Sequence, residues 1–267
     1  ATTYILLIIA LVWTIFPVYW MIKSSITVNS EMYVARPSLI AKHYTFENYV
    51  DLFTKTEFPR ALLNSLMIAF LTTVCCLLIS ILGSYAMTRL KYPGRRFFKT
   101  SIIFSYLIPT AVLFVPMYVF VSKLGFYDNK WALLIIYPTT VVPYCCYMLM
   151  SYFKAIPYAL EEAALIDGCT RMKSLRYIIT PIALPGIAVV ATFAFTMSWN
   201  EYLYAMIMTT SPAQQTAVVA ISSFKYADSA IWGRIMAASV LTSLPVTIIY
   251  IVAQAQLISG KSDGSVK

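Results

Sequence analysis

Residues 61–99 read ALLNSLMIAFLTTVCCLLISILGSYAMTRLKYPGRRFFK, an apolar run followed at once by a basic loop. Ala61 to Met87 holds no charged residue. It exceeds the about 20 residues that a helix needs to cross about 30 Å of hydrocarbon. Arg89, Lys91, Arg95, Arg96 and Lys99 then follow without an acidic residue. Short loops retained in the cytoplasm carry this excess of Lys and Arg. The one stretch therefore sets both the membrane class and the orientation of the chain.

Working outward, further apolar runs lie at approximately 3–21, 101–121, 131–153, 182–206 and 235–257, the last interrupted by Thr242, Ser243 and Pro245. The composition agrees: 60% of residues are hydrophobic and 12% charged, with a mean hydropathy of +0.74. A soluble domain is about 45–50% apolar and about 25% charged. The expectation is an all-α membrane protein, one domain over 1–267 with six transmembrane helices. The first run continues through FPVYWMIKSS with no small-residue cleavage site, so it reads as a span and not a removed signal peptide. Since the chain begins at Ala1, a short native stretch is expected ahead of it. With residues 89–99 inside, both termini, the loop 154–181 and the tail 258–267 fall on the cytoplasmic side. The outer loop 24–60 and the loops 122–130 and 207–234 fall outside. The net charge of +9 is then accounted for by topology and lipid, with no call for nucleic acid.

A hydrolase needs a nucleophile with its base, and His43 is the only histidine. Cys75, Cys76, Cys145, Cys146 and Cys169 lack metal-ligand spacing and read as packing residues, so no metal or cofactor is expected in this chain. Gly260-Lys261-Ser262 copies the end of a phosphate loop, but Ala255 stands where that loop needs its first glycine. Any nucleotide must be bound elsewhere. The spans contain almost no charge, which argues against an autonomous ion-coupled carrier. The exception is Glu201 in MSWNEYLYA, flanked by Trp199, Tyr202 and Tyr204 as in an interfacial aromatic belt. It reads either as a structural anchor or as part of a substrate path or docking surface.

The loop 154–181 carries the clearest signal. Pro157 suits a helix start, YALEEAALID continues in good helix formers, and Gly168 suits the left-handed residue that ends a helix. Thr170 can cap a second helix through RMKSLRYII, whose simple continuation Pro181 is expected to prevent. Ala159, Ala163 and Ile166 form a low stripe beside Ala164, and Met172, Leu175 and Ile179 form an apolar stripe on the second helix. Such a pair could lie on lipid headgroups. Glu161, Glu162 and Asp167 fit that poorly, because they would face anionic lipid, and suit a protein socket containing Arg or Lys.

EEAALIDGCTRMKSLRYIITPIALPGI resembles the EAA loop of the permease subunits of bacterial ATP-binding-cassette importers. Glu162-Ala163-Ala164, Gly168, Ile178 and Pro181 stand at the family's spacing, with Thr180 and Cys169 as mild departures. ALLNSLMIA, SYAMTRLKYPGRR, SWNEYLYA and ISGKSDGSVK are similar to the maltose-type carbohydrate subfamily, and the whole chain looks most like its second, six-span permease. The resemblance implies a transport subunit and not an enzyme. Its partners would be a second permease in a heterodimer, two ATPase subunits that hold ATP and Mg, and an extracytoplasmic solute-binding protein. It would sit in the inner membrane and import a sugar.

By the same resemblance, Glu161, Glu162, Ala163, Ala164, Asp167 and Gly168 would form the coupling helix that docks on an ATPase. Gly260, Gly264 and Lys267 would make secondary contacts from the tail. Gln214 and Gln215, in SPAQQTAVVAISSF, would reach the binding protein. Tyr106, Tyr144, Tyr147, Asn200 and Glu201 are candidates for the substrate path, although tyrosines, Tyr118 and Tyr137 among them, also pack helices. In the maltose system the partner permease makes the main sugar contacts. Pro109, Pro116, Pro138 and Pro143 would kink spans around a cavity. The rival readings are an importer for a non-sugar solute, an autonomous secondary carrier and a membrane enzyme.

Overall fold

A computed structural model of the chain describes residues 2–34, 36–224 and 232–262, with side chains placed through residue 254. No strand occurs among the described residues; a single isolated bridge joins Thr27 and Tyr44. The helices that matter below are α1 (Thr2–Ser25), α2 (Glu47–Thr54), α3 (Phe58–Arg89), α4 (Arg95–Leu107), α5 (Thr110–Lys123) and α6 (Leu133–Ala155). They are followed by α7 (Tyr158–Ile166), α8 (Arg171–Ile182), α9 (Leu184–Trp199), α10 (Leu203–Met208), α11 (Ala217–Ser223) and α12 (Trp232–Ser262).

Among the described residues four helices are long and apolar enough to cross a membrane: α1, α3, α6 with its entry turn from Lys130, and α12 through Gln254. Two further spans are formed if each of the bent pairs α4–α5 and α8–α9 counts as one. The first pair bends by 99°. Its break is Ile108, held extended at φ −74°, ψ 121° because Pro109 disfavours the helical region for the residue before it. Pro116, Pro138 and Pro143 lie inside helices.

In the second pair the continuation past Pro181 is not a simple one, as expected, though the helix does not end at the ring. The preceding residues Leu175–Ile179 form a π-helical turn, and the wider turn accommodates a ring that would otherwise meet the carbonyl four residues back. The 82° bend falls instead between Ile182 and Leu184, just before Pro185. The expected continuity to Met206 is also absent, since α9 ends at Trp199 and α10 begins at Leu203. Conversely, α12 is uninterrupted at Thr242, Ser243 and Pro245. Thr242 and Ser243 donate back to the carbonyls of Ala238 and Val240 at 2.8 and 2.7 Å, so their hydroxyls are satisfied within the helix.

The chain divides into two compact units, residues 1–64 with 211–245 and residues 65–210 with 246–267. In the first, Leu52, Phe58, Ala61, Ala217, Ala220, Ala237 and Ala238 form a buried cluster. Asn48 fastens the end of α1 by donating to the carbonyls of Ser25 and Thr27 at 3.0 and 3.1 Å. Most of α1 is apolar all round and exposed along its length, as a lipid-facing span is. In the second unit, Cys76, Val141, Cys145, Leu149, Phe153, Leu175, Ile179, Ile187 and Val190 form the core from α3, α6, α8 and α9. Gly186 belongs here for a steric reason: a Cβ on it would collide with the Tyr152 ring, so only glycine lets α9 lie this close to α6.

Candidate functional site

The segment 158–182 folds as helix, glycine turn and helix. α7 ends in a Schellman motif, in which the Cys169 amide donates to the Ala164 carbonyl at 2.9 Å and the Gly168 amide to the Leu165 carbonyl at 3.2 Å. Gly168 takes φ +81°, with no atom within 4 Å of where its Cβ would stand. Glycine is required by the backbone, therefore, and not by crowding. Thr170 caps α8 by accepting from the Lys173 amide at 3.4 Å.

The adjacent glutamates have opposite surroundings. Glu161, expected to face a partner, is 3% exposed and points into its own chain. Its carboxylate accepts from the Tyr85 hydroxyl at 2.5 Å and lies 3.7 Å from both Arg89 Nε and Arg171 Nη1. Arg89 is fully buried at its side chain, donates to the carbonyls of Phe153 and Ile156, and packs over the Tyr158 ring. The Tyr158 hydroxyl donates to the Thr88 carbonyl at 2.6 Å. A buried carboxylate needs such a cationic partner, because desolvation without one is expensive. α7 is thus pinned to the end of α3 along one face. Motif spacing in the loop does not point to Tyr85 or Arg89, yet their own separation of four already puts them on one face of a helix.

The opposite face of α7 is free to meet something else. Ala159, Glu162, Ala163, Ile166 and Asp167 are solvent-facing to differing degrees, Ile166 by 85%, while Ala164 is buried. On α8, Leu175 and Ile179 enter the core and Met172 is exposed. Beside this loop a cleft of about 930 Å3 is lined by Arg89, Lys91, Arg95, Tyr158, Glu162 and Arg171, among others.

A second site lies around the non-helical residues between α9 and α10. The Glu201 carboxylate caps α10, accepting from the amides of Tyr204 and Ala205 at 3.0 and 3.1 Å. The expected aromatic belt does not form around it: Trp199 and Tyr204 are buried, Trp199 stacked on Phe195 and Tyr204 donating to the Thr110 carbonyl at 3.1 Å. Only Tyr202 of the three is exposed. Asn200 and Glu201 line a cavity of about 490 Å3 with Thr110, Tyr137 and Tyr250. Tyr144 lines an adjoining one of about 420 Å3 and packs against Phe193 and Tyr106, with ring centroids 3.9 and 5.2 Å away. Tyr147 lines neither cavity and is half exposed. Of the five expected path residues, three reach cavities. Tyr137, a tyrosine of the fourth span suited either to sugar contact or to helix packing, joins them.

Gln214 and Gln215 lie half-buried in the turn before α11, held where Asn64 donates to the carbonyls of Ala213 and Gln215. Gly260 lies in the backbone of α12, and Gly264 and Lys267 lie outside the described residues. No grouping of three His, Cys, Asp or Glu side chains suited to a metal occurs among the described residues.

Comparison with known proteins bears on this arrangement. Residues 79–261 match the model of a family described as binding-protein-dependent transport system inner membrane component. An inner membrane ABC transporter permease protein of Escherichia coli is 36% identical over 96% of this chain and 92% of its own length. A trehalose/maltose transport system permease protein of Thermococcus litoralis is 33% identical over 95% of this chain and 91% of its own. Among solved structures, a chain of a bacterial ABC transporter involved in the import of the acidic polysaccharide alginate superposes with a TM-score of 0.82 at 22% identity. That match covers 95% of this chain and 94% of the other.

Proposed function

The chain belongs to the family of inner membrane components of binding-protein-dependent transport systems, and from that premise we propose that it is the six-span permease subunit of an ATP-driven sugar importer. In this reading the loop 158–182 is the coupling element. One observation carries it: α7 is fastened inward through Tyr158 and Glu161, while Ala159, Ala163 and Ile166 stand on its other face and Glu162 is exposed at the edge beside Tyr158. A helix pinned on one side and bare on the other transmits a push. Small alanines let a partner approach closely, and Glu162 and Asp167 offer charge to basic residues of a socket.

The rest follows from that coupling. ATP and Mg are held by two partner ATPase subunits, and a second permease completes the membrane pore. A solute-binding protein outside delivers cargo, near Gln214 and Gln215. Both termini lie in the cytoplasm, as the basic run from Arg89 to Lys99 supports. The tail, with Gly260, Gly264 and Lys267, adds contacts to the ATPases. Closure of the ATPases on ATP moves α7 with α3, and the spans alternate between inward and outward access. The trehalose/maltose relative supports a sugar cargo, as do cavities lined by aromatic rings and hydroxyls. Within this scheme Glu161 positions the coupling helix from inside the chain and makes no contact with the ATPase.

The docking assignment is tested by crosslinking. Cysteines at Ala163 and Ile166 are expected to form disulfides with cysteines placed in the facing groove of a co-expressed ATPase subunit, whereas one at the buried Ala164 is not. Absence of crosslinks at both positions in an intact complex overturns the assignment.

A further inference from the structure

The cavity between α9 and α10 contains a group whose chemistry is unspent. Tyr137 is 1% exposed and lines this cavity, and its hydroxyl lies near the Glu201 carboxylate without meeting it, or any other group, in full hydrogen-bond geometry. A buried hydroxyl left without a partner is costly, and phenylalanine would pack equally well there without that cost. Beside it Glu201 spends one lone pair of each oxygen on the cap of α10. Each oxygen retains a second. Thr110, Asn200 and the Phe193 and Tyr250 rings complete a wall of aromatic faces with a few polar groups. At about 490 Å3 the cavity lies within the about 300–1,000 Å3 usual for small-molecule sites.

The sign of the charge is informative. Among the described residues lining this cavity Glu201 is the only charged one, and no Lys, Arg or His offsets it. In a site of low dielectric an unopposed carboxylate repels an anion and accepts from hydroxyl donors. We propose that this cavity is a sugar subsite within this subunit, selective for neutral glycosides, in which Tyr137 and Glu201 bind sugar hydroxyls and Glu201 turns away uronates and other anionic sugars. The proposal rests on the sugar-permease reading above. It extends that reading to the class of sugar.

The test uses equilibrium dialysis of the purified permease and ATPase complex against labelled maltose and trehalose, with a uronic-acid disaccharide as competitor, alongside uptake by cells carrying the whole importer. Wild type is expected to bind a neutral disaccharide that the uronate does not displace. Tyr137→Phe is expected to raise the dissociation constant about threefold to tenfold, the effect of one hydrogen bond between neutral groups. Glu201→Gln is expected to weaken neutral binding tenfold or more and to let the uronate compete, which a purely structural cap would not do. Because Tyr137→Phe keeps the buried ring and removes only a hydroxyl that meets no full hydrogen-bond geometry in the chain, that variant is expected to fold. Sugar uptake with binding unmoved in both variants, or a uronate bound as well as the neutral sugars, overturns the subsite alone. Uptake of no sugar of either class overturns the sugar reading and the subsite with it.

Discussion

At the scale of single residues, Glu161 and Glu162 show how neighbours in sequence part company in space. Glu161→Ala would strand Arg89 as a buried cation held by two carbonyls and the Tyr158 ring with no carboxylate beside it, and the expected loss is about 3 kcal/mol or more. Glu162→Ala, on the exposed face, should change stability by less than about 0.5 kcal/mol while weakening ATPase-coupled transport. Thermal melting of the solubilised chain separates the two. In the outer loop, Glu31 accepts from His43 Nδ1 at 2.7 Å and from the amides of Lys42 and His43, each at 3.0 Å. The His43 side chain, followed by the Lys42 amide, holds its carboxyl below the ordinary value of 4.5. A depressed carboxylate stabilises the fold above its unfolded value and loses that contribution as pH falls through the folded one. Protection of the Lys42 and His43 amides from hydrogen exchange is therefore expected to be full above pH 4.5 and to be lost only at lower pH, as it falls through the depressed value, and Glu31→Gln should abolish that dependence.

At the scale of elements, α7, Gly168 and α8 act as a unit whose angle depends on one left-handed residue. Gly168→Leu meets no obstructing atom, so the chain should still insert in the membrane. The substitution asks an L residue to hold φ +81°, which costs about 1–2 kcal/mol. We expect the turn to relax and the docking face to swing away. ATP hydrolysis would then run without uptake, or uptake would stop at normal membrane levels of protein. Transport at the wild-type rate in this variant would remove the hinge from the mechanism. The same segment shows why proline is an incomplete guide. Pro181 sits after a π turn and ends no helix, whereas Pro109 marks a 99° bend. The difference lies in what precedes each ring, a widened turn in one case and an extended residue in the other.

At the scale of the whole molecule, the proposed orientation has a direct check. A cysteine at Lys42 should react with a membrane-impermeant reagent in intact cells, and one at Arg96 only after permeabilisation, against the background of the native thiols. Both positions are exposed, so a reversed pattern would invert the topology. By itself the sequence determined the helical membrane class, the helix-glycine-helix loop and the family, because hydrophobic length, capping residues and motif spacing are local along the chain. Only tertiary structure decided which glutamate turns inward, that Trp199 and Tyr204 are buried and not in a belt, and that Tyr137 opens onto a cavity with Glu201. Those outcomes depend on which side chains meet from α3, α6, α7 and α9, and spacing along one helix does not state what packs against it.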